Sequence, residues 1–262
     1  YDSVQVTVNA LPVANASGAT VVCAGGTATL TSNNSAFYTW TASLGANPTN
    51  VRYPVVSPTI TTTYSLKITN ANGCQSTNNS TVVITVDAAI NPSVSTDAPA
   101  NTICAGSNIQ LTAGGGIEYT WNTTPVKYTS TITENPTTNT TYIVTVKSGA
   151  CNGTASIAVT VNPIPSAATA GVDQTICDGN SATLTASGAN KYTWSHGDSL
   201  AISVVTPTVT TTYLLTATNN FNCSKTDDVI INVFTRPVAD AGADQTVCNS
   251  SATLTATGGT NY

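Results

Sequence analysis

The chain repeats one pattern of residues, and that repetition constrains its fold more than any other feature. Cys23, Cys104, Cys177 and Cys248 open successive copies at intervals of 81, 73 and 71 residues. Cys74, Cys151 and Cys223 close the first three. Self-similarity at such a period means an array of similar modules, each folding on its own hydrophobic set. Residues 1–10 read as the last strand of a preceding module. Residues 11–88, 89–163 and 164–235 read as three complete modules, and 236–262 as the N-terminal part of another. Prolines mark the joints at Pro12, Pro92, Pro163, Pro165 and Pro237. Proline fixes φ and cannot donate a backbone hydrogen bond, so it suits short, semi-rigid linkers.

Within each module the periodicity is two. A strand follows the first cysteine (Thr27 to Thr31, Asn108 to Ala113, Ser181 to Ala186, with Ser251 to Ala256 as its fourth copy). A second strand carries Tyr38-Thr39-Trp40, Tyr119-Thr120-Trp121 or Tyr192-Thr193-Trp194, with ten residues from Leu30, Leu111 or Leu184 to the tryptophan each time. After a variable middle, Tyr64, Tyr142 and Tyr213 each open a Thr/Val/Leu-rich strand that leads to the second cysteine. Val4, Val6 and Val8 alternate with polar residues in the same way as the strands that close the modules. No stretch of ten residues has helical periodicity. About seven short strands, a central Trp and a Tyr opening the penultimate strand describe a two-sheet sandwich, so the chain is expected to be all-β.

Composition limits what such an array can do. Charged residues make up 7% of the chain, while 40% are hydrophobic and alternate with Thr and Ser, which favours folded strands under a hydroxyl-rich surface. The net charge is −5 and the seven basic residues are scattered, so no patch is built to neutralise a row of phosphates and nucleic acid is not a partner. No apolar run reaches the 18 or so residues of a membrane span.

The seven cysteines include no Cys-x-x-Cys pair, and the chain has one histidine, a combination that argues against structural zinc. One early and one late cysteine per module read as one disulfide per module: Cys23 with Cys74, Cys104 with Cys151, Cys177 with Cys223. Cys248 is then expected to pair beyond Tyr262. Regular disulfides imply an oxidising, extracellular compartment.

Ala-Gly-Val-Asp-Gln-Thr-Ile-Cys at 170–177, Ala-Gly-Ala-Asp-Gln-Thr-Val-Cys at 241–248, the Tyr-Thr-Trp strands, Thr-Thr-Thr-Tyr at 61–64 and Asn-Ala-Asn-Gly-Cys at 70–74 carry a more specific likeness. The repeat resembles the Ig-like and PKD-like modules strung together in very large secreted and cell-surface proteins, adhesins among them, of Bacteroidota-type bacteria. The resemblance implies tandem Ig-like β-sandwiches of about seven strands. It departs from antibody-type domains in one respect. Tyr64, Tyr142 and Tyr213 precede their cysteine by ten, nine and ten residues, whereas in antibody domains the spacing is about two. A strand that long is expected to carry the second cysteine to the pole where the first one enters, so that each disulfide clamps one end of its own sandwich.

Candidate chemistry is sparse. His196, in Ser-His-Gly-Asp with Asp198 and Ser199 beside it, belongs to one module only and lacks the motif of a nucleophile–His–acid set. It reads as a solvated loop residue, and the chain is not expected to be an enzyme or to bind a cofactor. Asp97, Asp173, Asp240 and Asp244 recur near the joints, where calcium is conceivable, but turn and capping roles fit them better. Trp40, Trp121 and Trp194 read as core rather than as a carbohydrate-stacking face. Tyr64, Tyr142 and Tyr213 read as corner residues whose hydroxyls find backbone partners. Asp2-Ser3-Val4 and Asp198-Ser199-Leu200 resemble the O-glycan acceptor sites of exported Bacteroidota-type proteins, which makes Ser3 and Ser199 candidates.

These residues describe a structural or adhesive repeat region, a stalk or fibre, of a large exported protein. Two alternatives stay open. One is a subunit of a self-assembling filament, joined laterally or head to tail through charge-poor edge strands. The other is a set of spacer or glycan-binding modules attached to an enzyme. Expected partners are neighbouring modules, further copies, and surface glycans or cells, with the variable loop Thr41 to Pro54 as a recognition site.

Overall fold

The computed structural model describes residues 2–248 and 251–259. Among the described residues, alternation of apolar and hydroxyl residues produces twenty strands and a single 3-10 turn at Pro99–Asn101. The first repeat contains β1 (Ala16–Gly18), β2 (Val21–Cys23), β3 (Ala28–Ser32), β4 (Phe37–Ala42), β5 (Val55–Val56), β6 (Thr62–Thr69) and β7 (Ser80–Asp87). They form two sheets, β1-β3-β5 and β2-β7-β6-β4. The second contains β8 (Ser93–Thr96), β9 (Thr102–Cys104), β10 (Ile109–Gly114), β11 (Glu118–Trp121), β12 (Thr131–Glu134), β13 (Thr140–Ser148) and β14 (Cys151–Asn162), arranged as β8-β10-β12 and β11-β13-β14-β9. The third contains β15 (Gln174–Cys177), β16 (Ala182–Thr185), β17 (Lys191–Trp194), β18 (Ile202–Val205), β19 (Thr211–Thr218) and β20 (Ser224–Phe234), arranged as β16-β18 and β15-β20-β19-β17.

Period-two burial places the core between the two sheets. Along β6, Thr62, Tyr64, Leu66 and Ile68 are buried in alternation with partly exposed neighbours. Tyr64, Leu66 and Ile68 pack with Leu30, Trp40, Val56 and Ile84 from both sheets of the first repeat. The third repeat builds the same cluster from Leu184, Trp194, Val205, Tyr213, Leu215 and Ile231. Trp40, Trp121 and Trp194 are each 1% exposed. Their indole N–H groups donate to Val51, Thr129 and Leu200 carbonyls at 3.0, 2.9 and 3.0 Å, which satisfies the one polar atom each ring takes into the core.

The chain divides into two compact units. The first comprises Tyr1–Asn101, Asn108–Asn135 and Asn139–Thr160, and the second Thr102–Ser107, Pro136–Thr138 and Val161–Tyr262. The division therefore runs through the second repeat, whose β9 goes with the third. In that second unit the Ala105 N–H donates to the Asn162 carbonyl at 2.8 Å, holding the end of β9 against the end of β14.

Two expected strands do not form among the described residues. Residues 2–8 make no strand, and Val4, Val6 and Val8 are 80–90% exposed. Residues 251–256 likewise make none; Thr257 is bridged to Asp240. Alternation specifies a buried face only where a second sheet covers it, and neither segment has one here.

Candidate functional site

The direction of the short strand that ends in the first cysteine decides the chemistry of the joints. β2 runs parallel to β7, pairing Val21 with Thr85 and Cys23 with Asp87. β15 runs parallel to β20 in the same way, pairing Cys177 with Phe234. The first cysteine therefore lies at the pole where the chain leaves its sandwich. The second cysteine lies in or beside the hairpin before the last strand, at the pole where the chain enters: Cys74 precedes β7, Cys151 opens β14 and Cys223 precedes β20. The eight residues of β7 from Ser80 to Asp87 span about 23 Å along an extended strand. A disulfide needs Cα atoms within about 7 Å.

The pairings Cys23–Cys74, Cys104–Cys151 and Cys177–Cys223 expected from sequence are therefore corrected. Cys23 is bonded to Cys151, with Cα atoms 4.8 Å apart, and Cys104 to Cys223, with Cα atoms 5.6 Å apart. In each case the first cysteine of one repeat bonds the second cysteine of the next. Each bond lies within one compact unit, Cys23–Cys151 in the first and Cys104–Cys223 in the second.

Hydrogen bonds hold each joint, by different side chains. Around the first, the Asp87 carbonyl accepts from Ala24 N–H at 2.9 Å, and the Asp87 carboxylate accepts from Ala150 N–H at 2.8 Å. Gly149, at φ 58°, turns the β13–β14 hairpin where a Cβ would run into that carboxylate, so glycine is required by both conformation and space. Around the second, the Asn219 side-chain oxygen accepts from the N–H groups of Phe221 and Cys223 at 3.0 and 3.1 Å. Its amide donates to the Pro163 carbonyl at 2.7 Å. One side chain thus shapes the cysteine turn and ties it to the segment entering the repeat.

Three cysteines are unpaired: Cys74 is half-buried, Cys177 and Cys248 are exposed. Cys74 sits in a turn of the same build as that of Cys223. The Asn70 oxygen accepts from Asn72 and Cys74 N–H groups at 3.1 and 2.9 Å, and its amide donates to the Ala10 carbonyl at 3.1 Å. Cys177 has the surroundings of Cys23 and Cys104, with Asp178 N–H donating to the Phe234 carbonyl at 2.9 Å.

His196 does acquire partners, one of which sequence reasoning missed. Its Nε2 lies 2.9 Å from the hydroxyl of Ser203, a buried residue on β18, and its ring meets Tyr213 edge-on at 5.3 Å. The Ser203 hydroxyl also reaches Asp198. That bond, followed by those from Leu200 and Ser199 N–H groups and the nearby His196, holds the Asp198 carboxyl below the usual range. The serine stands between the imidazole and the carboxylate and is 4% exposed. A hydrolytic triad places the imidazole in the middle and an accessible hydroxyl at one end, so this cluster is a clasp that fixes the loop after β17. The signal for it was the polar Ser203 on the inward phase of an apolar strand.

Asp97, Asp173 and Asp240 each cap a backbone N–H, from Gln110, Ile230 and Gly242 at 2.9, 2.8 and 2.9 Å, and Asp244 is exposed. Among the described residues no three acidic, His or Cys side chains converge on a point that could hold a metal ion. Tyr64, Tyr142 and Tyr213 are 4–8% exposed, and burial pushes the Tyr64 and Tyr142 hydroxyls up. Hydroxyl-to-backbone bonds of the expected kind come from other tyrosines: Tyr119 and Tyr192 donate to Gly116 and Ala189 carbonyls at 2.6 and 2.8 Å. The Tyr38 hydroxyl accepts from Ser35 N–H at 3.0 Å. Ser3 and Ser199 are both exposed. The loop after β4 and the start of β6 enclose an open cleft of about 400 Å³ between Leu44, Pro48, Val56, Ile60 and Tyr64.

No family model matches the chain, and no curated protein matches it. Among solved structures, it is similar to three N-terminal domains of the Highly Immunogenic Outer Capsid protein of bacteriophage RB49, at 16% identity and TM-score 0.35, covering 85% of this chain and 99% of that one. It is similar to a 1.5-MDa bacterial ice-binding adhesin at 15% identity and TM-score 0.31, covering 87% and 100%. It is also similar to the I-band fragment I67–I69 of titin at 12% identity and TM-score 0.40, covering 87% and 100%. At these scores none of the three carries the functional argument, which rests on the chain's own residues. Those residues fold as tandem Ig-like β-sandwiches joined by disulfides between successive repeats.

Proposed function

We propose that this chain is a structural repeat region, a stalk or fibre, of an exported protein that works outside the cell and serves attachment to a surface or to other cells. The observation that carries this reading is the placement of the disulfides. Both lie at joints rather than inside sandwiches, so each covalently ties one repeat to the next alongside the peptide linker. An enzyme gains little from reinforced joints, whereas an array that bears load along its length gains directly. Array length grows with each module added, because each is stabilised by its own core and its neighbours. Disulfides of this kind persist in oxidising surroundings, and among the described residues no helix is long and apolar enough to cross a membrane.

The test is immuno-electron microscopy of intact source cells with antibodies raised against this chain. Label along thin strands outside the cell is the expected result. Label confined to the cell interior would overturn the proposal. Ordered filaments with fixed contacts between chains would assign the chain to a self-assembling fibre instead.

A further inference from the structure

We infer that Cys74 and Cys177 are two open halves of the same joint, each built to form a disulfide with the complementary cysteine of another module of this repeat. The chain shows the joint twice in closed form, Cys23–Cys151 and Cys104–Cys223, and both follow one rule: first cysteine of one repeat, second cysteine of the next. Under that rule Cys177 requires a second-type cysteine and Cys74 a first-type one. Both are free, Cys74 half-buried and Cys177 exposed.

Each half already has a form found in a closed joint: Cys177 that of Cys23 and Cys104, Cys74 that of Cys223. Cys177 lies opposite Phe234 as Cys23 lies opposite Asp87, in parallel register at the exit pole. The N–H that follows the cysteine donates to the exit strand in all three repeats, at 2.9, 2.8 and 2.9 Å from Ala24, Ala105 and Asp178. On the other side, Asn70 ties the Cys74 turn to Ala10 as Asn219 ties the Cys223 turn to Pro163. Cys151 and Cys223, the bonded cysteines of the second type, are 0% exposed, so the arriving module covers this sulfur as well as bonding it. The partner is therefore a module with the same pole, supplied by a longer chain bearing the repeat or by a second copy of this one.

Closing each joint oxidises two thiols to one disulfide, with loss of two protons and two electrons. A low-molecular-weight disulfide accepts the electrons. One cysteine thiolate attacks it and expels one small thiol; the second thiolate then attacks the mixed disulfide and expels the other. The inference deepens the structural-repeat reading, and it fails separately: free thiols on a chain still displayed outside the cell would sink the joint and leave the stalk.

The experiment is alkylation of the native protein before denaturation, digestion without reduction, and mass spectrometry of the cross-linked peptides. The Cys74 peptide is expected to be protected and bound to a first-type cysteine, in a context like Val22-Cys23-Ala24-Gly25. The Cys177 peptide is expected to be bound to a second-type one, in a context like Asn222-Cys223. A partner peptide absent from these 262 residues identifies a longer chain. Cys74 bound to Cys177 or Cys248 in a species of multiple chain mass on a non-reducing gel identifies a second copy. Alkylated Cys74 and Cys177 in native material would overturn the inference. So would Cys74 bound to Cys23, Cys177 bound to Cys223, or the two bound to each other at single-chain mass.

Discussion

Cys23 stands opposite Asp87 where β2 runs parallel to β7, so its sulfur faces out of the exit pole of its own sandwich and toward the entry hairpin of the next repeat. The same register places Cys177 opposite Phe234.

Replacing Cys151 by serine opens a cross-link that spans 128 residues. On the loop-entropy argument such a bond is worth about 5 kcal/mol as an upper figure. The oxidised variant is expected to lose a calorimetric transition that oxidised wild type retains, and to match reduced wild type for the first compact unit. Identical melting of oxidised variant and wild type would mean that Cys23–Cys151 does not stabilise the joint.

Asn219→Ala removes two acceptor contacts within the Cys223 turn and the donor to Pro163. Each lost bond of this kind costs about 1 kcal/mol net. Oxidative refolding should give a lower yield of the Cys104–Cys223 peptide while leaving Cys23–Cys151 unchanged. Equal yields in quantitative mass spectrometry would assign the turn geometry to something other than this side chain.

Trp194→Ala empties the centre of the third repeat's cluster, where the ring is 1% exposed. Substitutions of this size cost about 3–5 kcal/mol. Trp194→Phe keeps much of the volume but leaves the Leu200 carbonyl without its N–H partner, and the loss should be smaller. Urea unfolding of both variants ranks them, and a larger loss for Phe than for Ala would contradict the packing described.

Asp227 is held below the usual carboxylate range, first by the Ala170 N–H at 2.8 Å and less by Thr169, Asp228 and nearby Lys225. Because its folded value is depressed, its stabilising effect is fully present above the ordinary carboxylate value of about 3.9. It is lost as pH falls from there through the folded value. Carbon-13 titration of the carboxyl should show a midpoint below that of an unstructured aspartate, and Asp227→Asn should flatten the acid limb of the stability curve. A midpoint at the ordinary value would dismiss the bond to Ala170. Asp198 is expected to behave alike, with Ser203→Ala moving its midpoint back up.

The sandwich was legible because burial obeys period two. Leu30, Trp40, Tyr64 and Leu66 lie on inward phases that can be counted directly, and each is buried. The cysteine partners were not legible, for a reason equally physical. Periodicity states which face a residue occupies but not which way a three-residue strand runs, and β2 is fixed by a parallel partner some sixty residues later. Pairing within a repeat and pairing across a joint use identical spacings, so only the pole on which each sulfur emerges separates them. Ser203 was missed because it lies in the variable middle of its repeat, and its hydroxyl acquires meaning only when the loop bearing His196 and Asp198 folds over it.

The loops closed by the two disulfides overlap, since Cys104 lies inside the first and Cys151 inside the second. A single scission at any peptide bond from Cys23 to Cys223 therefore leaves one covalent molecule, with either or both sulfur bridges holding the ends. Had the bridges closed within repeats, a cut at either proline-marked linker would have released a fragment. The arrangement gives the array tolerance of damage: a protease that finds an exposed joint can nick the strand without parting it.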